Sequence, residues 1–474
     1  MQSSEKRLSF GTKCGYAAGQ VGVSVPYNLV SVFLLFFFTD IAGIKPAFAG
    51  TIFMIAVLWA AFADPFIGIF SDNLRTKHGR RRPILLVIGI PYAIVLWLMF
   101  TSVDFGSDIA KNIYYVIFAI LFFTAMTFTE VPFYSLGAEI TKDFNERTKI
   151  RSISSFFIYI AVLVAVNLPN FIVTKVTGGG GEPKTGWSMA ALACGIIAFI
   201  ALIICWNATR GRELIVGKQD DEGPKVSGGN IFKEFADVMR VKPVKFVVLA
   251  NFLYLFGFST ETGVLIYILN YVAHVDPAQQ SMVMSVLPIA TIAWLPIINL
   301  VSVKVGKKRG YTIFVGIIVV ALLIFFVAGT YSIVSLCILN AVIALGNGTF
   351  WTLCFAMAYD TTEVDEWVNN KRREGVLVAY MSFAQKIGTA LATWMIGFVL
   401  EAVGYVGNAS EQSGEAISGL IGLYTWIPAV LILVSIICVA VYPLTQKKHS
   451  ALLKAIQQRK AGEAYDTEEF KDLI

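Results

Sequence analysis

The stretch Phe62–Pro83, FADPFIGIFSDNLRTKHGRRRP, decides the fold. Its first nine residues are apolar apart from Asp64, and residues 71–83 carry five Lys or Arg. An apolar run that stops at a short basic loop is the pattern of a membrane-spanning helix arriving at the cytoplasmic face, where positive charge is retained during insertion. Upstream the run continues to about residue 47, which supplies the ~20 residues needed to cross ~30 Å of hydrocarbon at ~1.5 Å per residue. Inside that span Pro65 frees a backbone carbonyl one turn earlier, on a helix that already carries the Asp64 carboxylate.

Read outward from this stretch, the chain repeats the same pattern. Of its 474 residues 56% are apolar and 15% charged, against ~45–50% and ~25% in soluble domains. That balance excludes an ordinary soluble enzyme. Apolar runs bounded by charge or by Gly, Pro and Asn clusters number twelve, the first over 15–38 and the last over 419–443. The expected architecture is an all-α membrane protein of twelve transmembrane helices in two six-helix bundles. Its expected divisions are a first bundle over 1–206, a middle loop over 207–245, a second bundle over 246–443, and a tail over 444–474 read as a short amphipathic helix with an acidic end. Of the 38 Lys and Arg, 24 fall in the even-numbered loops, nine in the termini and four in the odd-numbered loops. Both termini are therefore expected in the cytoplasm.

Gly79-Arg80-Arg81-Arg82 after the second span is echoed by Gly306-Lys307-Lys308-Arg309 after the eighth, which suggests two repeats with a substrate site between them near mid-membrane. The net charge of +6 is spread over short loops and forms no nucleic-acid patch. Six scattered cysteines read as packing residues. No nucleophile–base pair, phosphate loop or metal cluster is visible, so neither an enzyme nor a cofactor is expected.

Four ionisable residues remain at membrane depth: Asp64, Glu130, Glu261 and Lys386. Each costs at least ~2.5–3.5 kcal/mol at mid-membrane, so together they imply partners, a wet cavity or neutral protonation states. One economical arrangement pairs Lys386 with Asp64 or Glu130. The bland alternative is a static ion pair, which gains little over apolar packing. Glu130 precedes Pro132 as Asp64 precedes Pro65, and a carboxylate beside a proline break suits either a hard cation such as Na+ or a proton. Glu130 and Tyr134, like Ser382 and Lys386, are four apart and share a helix face. Gln20, Trp351 and several further amides and hydroxyls suit a polyhydroxylated ligand. Gly15, Gly19 and Gly22 read as a helix-packing face.

Several segments together resemble the glycoside-pentoside-hexuronide (GPH) cation symporter family of the major facilitator superfamily. They are LLFFFTDIAGI (34–44), the Phe62–Pro83 stretch, TEVPFYSL (129–136) with NERTKIRS (145–152), FWTLCFAMAYD (350–360), and EWVNNKRREG (366–375) running into the Lys386 helix. The resemblance implies a two-bundle carrier in the cell membrane that moves a sugar or glycoside together with H+ or Na+ by alternating access. It implies Asp64 and Glu130 as cation or proton acids, metal ligands only if Na+ is the coupling ion. Lys386 is implied as their neighbour, and Tyr134 and Trp351 as substrate aromatics.

Three departures stand out against the family pattern. Gln20 occupies the place of a sugar-binding acid, Ala60 that of a second cation acid one turn before Asp64, and Ser154 that of an arginine in the fifth span, with Arg151 one turn away. The Ala60 departure tilts the expected coupling toward H+, while the other two imply a rebuilt sugar site, with Gln20, Tyr134, Glu261, Trp351, Ser382 and Lys386 as substrate-binding candidates. The protein is expected to act as a monomer with a sugar-like substrate, a coupling cation and the lipid bilayer as partners. The alternatives are a carrier or exporter of a non-sugar amphiphile, or a non-transporting sensor.

Overall fold

The structure is a computed structural model that describes residues 8–76, 79, 81–141, 143–211, 237–371, 373–464, 470 and 473. Twelve helices among these are long and apolar enough to cross a membrane. They are α1 (Phe10–Ile41), α2 (Pro46–Asn73), α3 (Arg82–Met99), α4 (Asp108–Glu139), α5 (Phe144–Gly178) and α6 (Pro183–Ala208), then α7 (Lys242–Val272), α8 (Pro277–Val305), α9 (Lys307–Ala328), α10 (Ile333–Asn369), α11 (Glu374–Ala402) and α12 (Gly414–Val441). A thirteenth helix, α13 (Gln446–Ala461), is the amphipathic tail segment. Residues 212–236 of the middle loop and 465–469 of the acidic end lie outside the described residues.

The helices start where the chain supplies caps. Ser9, Ser107, Asp143, Ser332 and Thr445 each accept a hydrogen bond from a first-turn N–H of the following helix, satisfying a donor that has no partner within the helix. α2, α6 and α7 instead begin with Pro in the first turn, where its missing N–H costs nothing.

Packing divides the chain into two units. Unit 1 holds α1–α6 with Leu269–Ser285 and Thr393–Ala416, while unit 2 holds Glu222–Ile268, Val286–Ala392 and Ile417–Ile474. In unit 1, α1 packs on α5 and α6, α3 on α4 and α6, and α2 on α4. In unit 2, α12 packs on α7 and α9, α9 on α10, and α13 on the second half of α10. Two glycines explain why the end of α11 belongs to unit 1. A Cβ on Gly50 of α2 would lie 2.8 Å from the Thr393 carbonyl, and one on Gly397 of α11 would lie 2.2 Å from the Pro46 carbonyl. Only bare backbone permits this approach.

The repeat echo is written in the backbone. Gly79 and Gly306 both take positive φ, 85° and 88°, so each echoed position before a basic cluster needs a backbone conformation that glycine adopts at little cost. A second, closer echo joins the ends of α1 and α7. Each finishes in a π-helical segment, Phe37–Ile41 and Ile268–Val272. Each is followed by a residue of positive φ, Gly43 at 65° and His274 at 49°. Each is closed by a 2.8 Å bond, from Ile44 N–H to the Phe38 carbonyl and from Val275 N–H to the Leu269 carbonyl.

The basic motif after Gly79 acts locally as a tie between helices. Arg82 is buried, donates to the Trp206 carbonyl at 2.7 Å and lies over the Trp206 ring, so it fixes the start of α3 to the end of α6. Arg81 bridges Asp72 at 2.5 Å and Glu139 at 3.1 Å, joining α2 and α4.

The glycine face of α1 packs as expected. A Cβ on Gly15 would lie 2.2 Å from that of Ala208, and one on Gly19 would lie 2.6 Å from the Phe133 ring. Gly15→Val is therefore expected to cost about 1–3 kcal/mol, the usual penalty of forcing methyls into a filled interface. A lower thermal unfolding midpoint of the detergent-solubilised protein checks this; an unchanged midpoint would mean that α1 and α6 pack in another register.

Candidate substrate and cation sites

Unit 1 gathers one group of the residues singled out in the sequence. Gln20, on α1, is buried, and its Nε2 donates to Ser24 Oγ at 2.9 Å and to the Tyr134 hydroxyl on α4 at 3.2 Å. Tyr134 itself is 48% exposed. Because its oxygen accepts from Gln20, its own O–H remains to donate elsewhere. Glu130 sits one turn before Tyr134 on α4 and, with Arg151 and Tyr27, acts electrostatically on the Tyr134 hydroxyl. The local backbone is braced from the other side, where Tyr16 stacks on Phe133 at 4.7 Å and donates to the Phe133 carbonyl at 3.1 Å. Asp64 is half-buried on α2, the helix that packs on α4. Ala60, one turn earlier, is fully buried.

Unit 2 holds a second group. Lys386 is half-buried on α11, with Ser382 exposed one turn before it. α11 is held against α7 by backbone proximity at Gly388, whose Cβ would lie 2.9 Å from the Phe252 carbonyl. Asn251 donates to the Met381 carbonyl at 2.9 Å and accepts from Gln385 at 3.3 Å. These bonds, before Lys386 on the helix, and the close approach at Gly388, after it, set the rotation of its helix. Trp351 lies in the π-helical segment Phe350–Cys354, 46% exposed, stacked on Phe355 at 5.6 Å and edge-on to Phe350. A π-bulge shifts the helical register by one residue and often marks a functional position.

Glu261 is placed differently from the other candidates. It is 2% exposed, shut inside unit 2 against a void of about 10 Å3 lined by Tyr254, Phe258, Ile318, Leu322, Ile343 and Ile432. The Tyr424 hydroxyl, which accepts from Asn340 at 3.4 Å, is its polar neighbour. A void of this size holds at most one water. Glu261→Gln is accordingly expected to leave substrate affinity within about twofold, since a bulky ligand cannot reach it. Isothermal titration on the variant checks this, and a tenfold loss of affinity would place the carboxyl in contact with substrate.

Sequence reading passed over Asp40. It is the sole acid between Glu5 and Asp64, yet at the end of an apolar run it reads as an interfacial flank. In the structure it is 5% exposed and accepts four hydrogen bonds.

Comparison with known proteins bears on the family and the fold. Residues 15–446 match the family described as MFS/sugar transport protein. The uncharacterized symporter YnaJ of Bacillus subtilis is 30% identical over 96% of this chain and 96% of its own. The isoprimeverose transporter of Lactiplantibacillus pentosus is 27% identical over 96% of this chain and 93% of its own. Among solved structures, a D-xylose-proton symporter shares the fold with a TM-score of 0.64 at 13% identity, covering 90% of this chain and 97% of that one.

Proposed function

We propose, from the premise that this multi-pass membrane protein belongs to the MFS/sugar transport family, that it moves a sugar or glycoside together with a proton by alternating access. The observation that carries this reading is the Gln20–Tyr134 pair. A buried amide holds the hydroxyl of a partly exposed tyrosine with its proton free to donate, one turn from the Glu130 carboxyl. That is an aromatic platform with a directed donor, which suits a hydroxyl-rich and uncharged ligand. The names of the relatives, among them a transporter of the disaccharide isoprimeverose, point the same way.

Each remaining residue takes a role on this reading. Asp64 and Glu130 load and release the proton. Lys386 supplies the positive charge that keeps carboxylates at membrane depth tolerable. Trp351 offers an aromatic face and Ser382 a hydroxyl to the substrate. Proton rather than Na+ coupling is favoured because a hard cation collects oxygen ligands and the position one turn before Asp64 is an alanine. Both termini face the cytoplasm, following the basic loops.

The test is uptake of a labelled glycoside panel into proteoliposomes under separately imposed gradients. Accumulation driven by a pH gradient in the absence of Na+ is the expected result. Accumulation under a Na+ gradient alone would overturn proton coupling, and preferential thermal stabilisation by apolar drugs over sugars would overturn the substrate class.

A further inference from the structure

We infer that Asp40 is the latch of a gate on the face of the odd-numbered loops, a residue that positions helix ends rather than one that binds cargo. Its carboxylate sits at a junction of three elements, all within unit 1. Oδ1 accepts from the Tyr271 hydroxyl at the end of α7, from the Tyr405 hydroxyl at 2.7 Å and from the Asn408 N–H at 3.1 Å, the last two just beyond α11. Oδ2 accepts from the neighbouring Thr39 hydroxyl at 2.5 Å. The backbone closes over the same spot, since a Cβ on Gly407 would lie 2.2 Å from the Thr39 carbonyl. Tyr271 and Tyr405 meet edge to face at 5.6 Å. The π-helical segments that end α1 and α7 both serve this junction, one delivering Asp40 and the other Tyr271.

Three features make this a latch rather than a fixed strut. First, every listener to the carboxylate on Oδ1 comes from the last six spans while Asp40 belongs to the first six, so no opening between those two sets at this face leaves the junction intact. Second, among the described residues no Lys, Arg or His lies within salt-bridge distance of Asp40, so the junction consists of hydrogen bonds that water can replace. Third, two further contacts between the first six and the last six spans are of the same separable kind. The Ala47 N–H donates to Glu401 at 2.9 Å, and Asn167 on α5 and Ser285 on α8 exchange bonds at 2.8 and 3.1 Å. A carboxylate that accepts several hydrogen bonds at once is a strong but local hold, and its loss shifts a two-state equilibrium toward the open form.

This inference rests on the transport reading, but its test needs neither substrate nor coupling ion. Tyr27 on α1 is 37% exposed and acts on the Tyr134 hydroxyl, so a cysteine placed there in a cysteine-free background reports access to the candidate site. Its alkylation by a membrane-impermeant maleimide is measured in vesicles of both orientations, for the parent, for Asp40→Asn and for Tyr271→Phe/Tyr405→Phe. The double variant keeps both rings and removes two donors, so it decides the matter if Asp40→Asn fails to fold. The expected result is a roughly tenfold faster reaction from the face of the odd-numbered loops in each folded variant, with no gain from the opposite face. Equal rates from that face in parent and double variant would make the junction a static cap and overturn the inference, leaving the transport reading untouched. Failure of every glycoside to be taken up would overturn the transport reading and leave the alkylation result standing.

Discussion

Asp64→Asn carriers are expected to exchange substrate across the membrane but never to concentrate it. Asparagine keeps the size and a similar hydrogen-bonding outline while losing the site at which a proton binds and leaves as charge. One coupled charge moving through 100 mV contributes about 2.3 kcal/mol, enough for a roughly 50-fold concentration ratio at about 1.4 kcal/mol per factor of ten. The variant should therefore fall from a ratio of that order to unity, whatever the imposed gradient. Counterflow of labelled substrate into preloaded vesicles should persist, because it needs only the substrate site and the conformational change. Retained accumulation would remove Asp64 from the coupling path. Loss of both counterflow and ligand binding in a folded variant would move it into the substrate site.

The parts of this molecule that were legible in the sequence are those set by local chemistry and by the membrane. Twelve apolar runs predicted twelve spans because the bilayer leaves the backbone no alternative to a helix. Gly15, Gly19 and Gly22 announced a packing face because spacing along one helix is enough to place them together. The Gly79 and Gly306 echo was readable because a positive φ tolerates few residues besides glycine.

What stayed hidden depends on contacts made across long stretches of chain. Asp40 meets partners 231, 365 and 368 residues away, and nothing in its own neighbourhood distinguishes a latch from an interfacial acid. Glu261 and Trp351 both lie in apolar helices, yet one is enclosed and the other exposed. Helical rotation decides which, and rotation is set by partners such as the Asn251–Met381 bond rather than by composition. The packing units likewise follow close backbone approaches at Gly50 and Gly397, which no hydropathy pattern reports.

Gln20 and Tyr134 should prove to act as one group. The buried amide donates and the hydroxyl accepts, so the direction of the bond decides where the tyrosine proton points. Gln20→Ala frees the hydroxyl to rotate and is expected to weaken glycoside binding roughly tenfold, the worth of one directed hydrogen bond. Tyr134→Phe removes the donor outright and should weaken binding to a similar degree or more. Gln20→Glu is the sharper probe, because a carboxylate only accepts. It would draw the tyrosine proton inward, reverse the bond, and take the donor away from the ligand while leaving the side-chain volume nearly unchanged. Its expected loss therefore matches that of Tyr134→Phe, not that of a conservative exchange. Titration of the single variants and of Gln20→Ala/Tyr134→Phe closes the cycle. Since neither residue contributes its share without the other, the double variant should bind about as poorly as Tyr134→Phe alone. Fully additive losses would show two independent contacts, and the proton direction assigned to Tyr134 would then play no part in recognition.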